Sequence, residues 1–303
     1  MDRLIEKIKK TKCPVCAGLD TSIDYIPGLK LAGDPLDYAA KAIRDYNFEL
    51  IDVLCDIVPA VKVQIAYYEM YGTAGMQTFL DTIRYAKKKG LFVITDAKRG
   101  DIGATAKAYS AAHIGKTQVL EQTACAFPAD MVTVNAYLGT DGVKPFLEDM
   151  KTGDKGIFVL VKTSNPSSGE LQDLVSNGKR IYEHMADLCE QWGKPFIGKY
   201  GYSAVGAVVG ATYPGQMGSL RAEHKNMFFL VPGYGAQGGT AKDIVPAFDA
   251  KGLGGIVNNS RGIIAAHQRE AYAGMKPKHA AKEAALLMKE DILNAFDDAG
   301  IRL

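Results

Sequence analysis

Along this chain, short apolar runs alternate with longer stretches of helical periodicity. The runs occupy residues 14–19, 58–65, 91–94, 131–134, 156–161, 204–209, 227–231 and 254–257. Near-continuous apolar character over such short lengths suits strands buried on both faces. Between the runs, amphipathic stretches at 36–55, 73–89, 171–192 and 241–250 predict helices. A repeated strand–helix order implies parallel strands joined by right-handed crossovers. Eight such units predict an α/β fold, a closed (β/α)8 TIM barrel, in one domain spanning 1–303. An open, doubly wound sheet is the alternative. Residues 1–7 and 278–296 read as flanking N- and C-terminal helices.

Composition narrows the class. The 303 residues are 47% hydrophobic and 23% charged, enough for a large core. The formal net charge is +2 and no long Lys/Arg run occurs, so neither nucleic acid nor an anionic membrane is an expected partner. No apolar stretch approaches the ~20 residues of a membrane span. The N-terminal segment lacks the apolar centre of a signal peptide, which predicts a cytoplasmic protein. Five scattered cysteines, Cys13, Cys16, Cys55, Cys125 and Cys189, do not form a disulfide framework. Cys13 and Cys16 have C-x-x-C spacing, but a zinc site would want a second pair. They are expected to be reduced, mostly structural thiols.

The chemistry concentrates at the ends of the apolar runs. After residues 91–94 comes Thr95-Asp96-Ala97-Lys98-Arg99-Gly100-Asp101-Ile102-Gly103-Ala104-Thr105. Strand periodicity puts Asp96 and Lys98 on one face, with Asp101 on the turn that follows. Charges at the end of a buried strand are costly unless they pair or react, and such clusters gather at active sites. Asp20, Lys62, Asn135, Lys162, Thr163, Ser164 and Arg261 also stand within or just after the runs. In a barrel they would converge on the C-terminal mouth, where catalytic groups sit.

Residues Pro232-Gly233-Tyr234-Gly235-Ala236-Gln237-Gly238-Gly239 match G-x-G-x-x-G. The dinucleotide reading fails, because that motif follows the first strand of its unit and needs an acid at the end of the next. The next run ends in Asn258-Asn259-Ser260-Arg261. Glycine turns after strands seven and eight of a barrel commonly cradle phosphate. Gln237 adds amide donors, and Arg261 can grip two phosphate oxygens.

These residues resemble the orotidine 5′-phosphate decarboxylase family over nearly the whole chain. Cys16-Ala17-Gly18-Leu19-Asp20 looks like its first strand and Lys62 like its strand-two lysine. Asp96 to Asp101, with Ile102 and Thr105, matches its D-x-K-x-x-D signature, and Thr163-Ser164-Asn165-Pro166 is similar to its pyrimidine-contacting turn. The glycine loop and Ser260-Arg261 look like its phosphate loops. Asn258-Asn259-Ser260-Arg261 departs from the shorter Gly-Arg turn of compact members, and the length suggests the longer bacterial type.

The resemblance implies cofactor-free decarboxylation of orotidine 5′-phosphate to UMP and CO2, with no metal. Lys62, Asp96, Lys98 and Asp101 would form the catalytic charge network, with Lys98 stabilising and protonating a C6 carbanion. Asp20 would hold the ribose, Ser164 the pyrimidine, and Pro232, Gln237 and Arg261 the phosphate end. It further implies a homodimer in which Asp101, Ile102 and Thr105 act across the interface. Rival readings are a metal-dependent sugar-phosphate aldolase or synthase, a Schiff-base aldolase using Lys162, and a non-catalytic nucleotide binder.

Overall fold

A computed structural model describes residues 1–235 and 238–303. The expected runs form eight parallel strands: β1 (Val15–Leu19), β2 (Ala60–Gln64), β3 (Phe92–Arg99), β4 (Met131–Val134), β5 (Gly156–Lys162), β6 (Val205–Val209), β7 (Phe229–Val231) and β8 (Gly255–Asn259). They pair in sequence order, and β1 pairs with β8 to close the barrel. Closure removes the open-sheet alternative. β3 runs further than its apolar stretch, because Asp96 and Lys98 continue the strand into the mouth.

The main helices are α1 (Asp2–Thr11), α2 (Pro35–Leu54), α3 (Gly72–Lys88), α4 (Gly103–His113), α5 (Thr140–Met150), α6 (Ile181–Gly193), α7 (Pro214–Glu223) and α8 (Pro277–Asp298). α2 shows how sequence sets a boundary. The Asp34 carboxylate accepts from the backbone N–H of Leu36 (2.9 Å) and Asp37 (3.1 Å), and Pro35 opens the first turn, where its missing N–H costs nothing. Ile43, Tyr46, Leu50 and Leu54 then recur on one buried face.

Two helical expectations are corrected. Residues 171–192 are not one helix: a short turn, Gly169–Gln172, is followed by a hairpin pairing Val175–Ser176 with Lys179–Arg180, and α6 starts only at Ile181. Asn177 (φ 51°) and Gly178 (φ 78°) both take the left-handed backbone that a tight hairpin turn requires. Within 241–250, the α-helix stops at Ile244, and Val245–Ala247, which contains Pro246, tightens to a 3-10 turn.

At the barrel floor, the fully buried Asp130 carboxylate gathers Arg3 of α1, Lys87 of α3 and the backbone N–H of Val93. Leu4, Ile5 and Ile8 seal that end. At the seam between β1 and β8, a Cβ on Gly18 would fall 1.9 Å from Ser260 Oγ, so only glycine allows this approach. All five cysteines are free, and burial pushes the Cys13 thiol up to about 11 and that of Cys16 to about 12. Among the described residues, no helix is long and apolar enough to cross a membrane.

Candidate active site

The C-terminal ends of the strands surround a cavity of about 620 Å³. Its two sides differ. Asp20, Lys62, Gln64, Asp96, Lys98 and Thr133, from β1 to β4, make a charged wall, whereas Leu160, Val208 and Leu230, from β5 to β7, make an apolar one. Such a cleft suits a flat ligand with one polar, reacting edge.

Asp96 is the hub of the charged wall. One carboxylate oxygen accepts from Lys62 Nζ (2.8 Å) and Gln64 Nε2 (3.0 Å), and the other from Lys98 Nζ (2.6 Å) and Thr133 Oγ1 (2.8 Å). Lys62 also reaches Asp20 at 3.4 Å. The order Asp20–Lys62–Asp96–Lys98 therefore alternates in sign. Burial opposes the charge on Asp96, but the ammonium groups of Lys62 and Lys98 outweigh it and hold its carboxyl far below the usual carboxylate range. Burial likewise opposes the charge on Lys62, and Asp20 and Asp96 overcome it, raising that lysine above its ordinary value. The hub is thus a fixed anion between fixed cations. Lys98, with a side chain 45% exposed, is the cation open to the cavity.

Asp96 and Lys98 do share a face, but by a route that simple alternation did not contain. In the pairing of β3 with β4, Thr95 lies opposite Val132 and Arg99 opposite Val134, so extra residues bulge out between them. Lys98 takes φ 46°, a left-handed conformation rare for a side chain of its size. The Thr133 hydroxyl holds this bulge by accepting from the backbone N–H of Ala97 (3.0 Å) and Lys98 (2.9 Å).

Other expected residues divide into groups. Asp20, Ser164, Pro232 and Arg261 line the cavity, as does Thr163. Gln237 lies outside the described residues. Asp101, Ile102 and Thr105 do not line this cavity: Asp101 accepts from the backbone N–H of Ile102 at 2.7 Å, and Ile102 and Thr105 are exposed. Asn135 and Lys162, expected at the mouth, are also absent from its lining. Asn135 is turned into the local turn, accepting from Tyr137 N–H at 3.1 Å, and Lys162 is fully buried against Asp173. That burial leaves no path for a Schiff base at Lys162.

Several lining residues escaped the sequence reading: Tyr25, Gln64, Tyr67 and Thr133. Tyr234, Asn258, Asn259 and Ser260 were visible only as parts of loops. At the β7–β8 end, Gly233 (φ 97°) and Gly235 (φ 70°) allow the loop to fold back, so that Gly235 N–H donates to Gly239 O at 2.8 Å. Arg261 stands opposite this loop, and no carboxylate among the described residues pairs with it. Among the described residues, no group of three or more His, Cys, Asp and Glu is arranged to hold a metal ion. In the charged wall, a lysine separates the two acids.

Comparison with known proteins identifies the family. A model of the orotidine 5′-phosphate decarboxylase / HUMPS family matches residues 14–275. The chain is 44% identical over 278 residues to an orotidine 5′-phosphate decarboxylase of Caldicellulosiruptor bescii, spanning 90% of this chain and 91% of that protein. It is 41% identical over 295 residues to the same-named protein of Petrotoga mobilis, spanning 96% and 97%. Among solved structures, it is similar to Leishmania donovani OMP decarboxylase, with a TM-score of 0.74, 30% identity and 98% of each chain covered.

Proposed function

The chain belongs to the orotidine 5′-phosphate decarboxylase / HUMPS family and is a carboxy-lyase of pyrimidine biosynthesis; on that premise we propose a cofactor-free reaction in which Lys98 stabilises and then protonates a carbanion at C6 of orotate. The bond from C6 to the carboxylate breaks, its electron pair stays on C6, and CO2 leaves. The Lys98 ammonium gives its proton to C6, forming UMP, and the amine regains a proton from solvent. Most decarboxylases use a cofactor as electron sink. A vinyl-type carbanion cannot spread its charge over the ring, so the remedy is a cation already in place. The observation that carries this reading is the four-donor hub at Asp96, which fixes Lys98 at the open end of an alternating charge chain. Asp96 is assigned a place beside the departing carboxylate. Lys62 keeps Asp96 ionised, and the network titrates as a unit.

The rest of the cavity divides the substrate. Asp20 meets the ribose hydroxyls, Ser164 meets the pyrimidine edge, and Pro232, Gln237 and Arg261 meet the phosphate. Binding energy from the phosphate end serves to orient the ring and exclude water. We assign Asp101, Ile102 and Thr105 to the cavity of a second subunit in a homodimer. Their position outside their own cavity supports this, as does the exposed apolar surface of Ile102, Tyr137 and Leu138 nearby. We place the reaction in the cytoplasm.

The test is ultraviolet-monitored conversion of orotidine 5′-phosphate by the purified protein in excess EDTA. Loss of the orotate chromophore with formation of UMP supports the reading. Activity that needs added Mg2+ refutes the metal-free mechanism, and no conversion under either condition refutes the activity.

A further inference from the structure

The molecule holds a second fully buried lysine that the reaction above does not use. Lys162 ends β5, and its ammonium meets both carboxylate oxygens of Asp173 at 3.0 Å and Ser168 Oγ at 3.2 Å. It lies over the ring of Tyr213 at 4.5 Å and that of Tyr182 at 5.6 Å. Burying an ammonium is costly, and an apolar side chain of similar volume is often as stabilising or more so. What an ion pair adds is direction, because it holds one loop in one arrangement.

That loop is the one carrying Ser164 and Thr163. Next to Asp173, Gln172 accepts from Thr163 N–H at 2.9 Å and donates to Thr163 Oγ1 at 2.8 Å. On the other side, Gly210 N–H donates to Lys162 O at 2.8 Å. A Cβ on Gly210 would sit 2.8 Å from Ser164 Cβ, so Ser164 is seated directly on the backbone beyond β6. The turn is thus held from below by Gly210, from the side by Gln172, and at its far end by the Lys162–Asp173 pair. Lys162 joins these parts while staying out of the cavity.

We propose that Lys162, through Asp173, is a positioning residue for ligand recognition: it sets the Thr163–Ser164 turn against the planar base of the nucleotide. This rests on the reading that Ser164 meets the pyrimidine edge. The clamp acts on the base and leaves the phosphate end alone, since Arg261 and the glycine loop stand on other elements.

The experiment compares two competitive ligands, UMP and ribose 5-phosphate, which lacks the base. Asp173→Asn keeps the volume and removes the charge on a half-buried loop residue; Lys162→Met is the companion variant. The expected result for Asp173→Asn is about tenfold weaker UMP binding, with ribose 5-phosphate changed less than about twofold. In a Ser164→Ala background, Asp173→Asn should cost UMP less than about threefold, because the contact it positions is already gone. Equal weakening of both ligands overturns the proposal, as does unchanged UMP affinity or full additivity with Ser164→Ala. Wild-type protein that binds ribose 5-phosphate but gains nothing from the base overturns the reading of Ser164 itself, and the proposal with it.

Discussion

Replacing Thr133 by valine changes almost no volume but removes the single hydroxyl that ties the β3 bulge to Asp96. Three hydrogen bonds disappear: one donated to the carboxylate at 2.8 Å, and two accepted from Ala97 and Lys98 at 3.0 and 2.9 Å. Ala97 is only 8% exposed, so its N–H is left unsatisfied at a cost of about 1–3 kcal/mol. The hydrogen bond to a charged carboxylate is worth about 1.5–3 kcal/mol, but Asp96 keeps three other donors and recovers part of it. A stability loss of about 2–4 kcal/mol follows. The catalytic effect should be larger in proportion. The left-handed backbone at Lys98 is itself disfavoured by roughly 1–2 kcal/mol, and without its two anchors the segment relaxes. A shift of about 1 Å at the reacting group costs on the order of 100-fold. The expected result is kcat reduced about 100-fold, UMP affinity within about threefold, and most activity retained in Thr133→Ser. Ultraviolet assays give the rates, calorimetry the affinity and urea unfolding the stability. A folded Thr133→Val protein with near-normal kcat would refute the claim that this hydroxyl places Lys98.

Lys98→Ala should abolish turnover while leaving UMP binding largely intact, and near-normal turnover would end the proposed mechanism. Arg261→Ala should lower kcat/KM through weaker phosphate binding; unchanged kinetics would remove Arg261 from the site. A pH effect should come from His113, which is buried among Phe79 and Phe127 and is held down to about 4 from 6.5 by burial and the nearby Arg99. Below pH 6.5 the unfolded chain takes up this proton and the folded one does not, so stability falls toward pH 4, by about 2–3 kcal/mol at pH 4.5. The charge hub should not contribute there: the lowered Asp96 loses its stabilisation only as the pH falls below 3.8, and the raised Lys62 only as it rises above 10.5. Urea unfolding of the native protein and His113→Phe at pH 7 and 4.5 checks this, and an equal loss in both would refute it.

The barrel was legible because each strand is buried on both faces and reads as an apolar run, whatever its neighbours do. The charges at the strand ends were legible for the opposite reason, since they interrupt that pattern. Thr133 was not, because in a row such as Met131-Val132-Thr133-Val134 a threonine reads as ordinary strand, and the bulge it supports exists only in the pairing with β3. Gln64 escaped in the same way. Lys162 misled for a related reason: position after an apolar run suggests the mouth, but a register shift between β5 and β6 accompanies its turn outward, toward Asp173. The broken helix at 171–192 did carry a local signal, the Asn177-Gly178 pair, that helical periodicity obscured. Asp101 follows the charged strand end closely in sequence, yet it accepts from its own neighbour Ile102 and stands outside the cavity lining, an outcome of the local turn that strand periodicity does not encode.

The seam at Gly18 has a consequence for the chain as it is made. β1 emerges early, yet its second neighbour, β8, is complete only at Asn259. At roughly 5–20 residues per second, a ribosome leaves that edge waiting on the order of tens of seconds. Through that interval the nascent sheet has an unpaired apolar border, the kind that recruits wrong neighbours. A chaperone that shields early strands should therefore raise the yield of this protein most when translation is slow, and a substitution at Gly18 that obstructs the last pairing should show as aggregation during synthesis before it shows in the finished molecule.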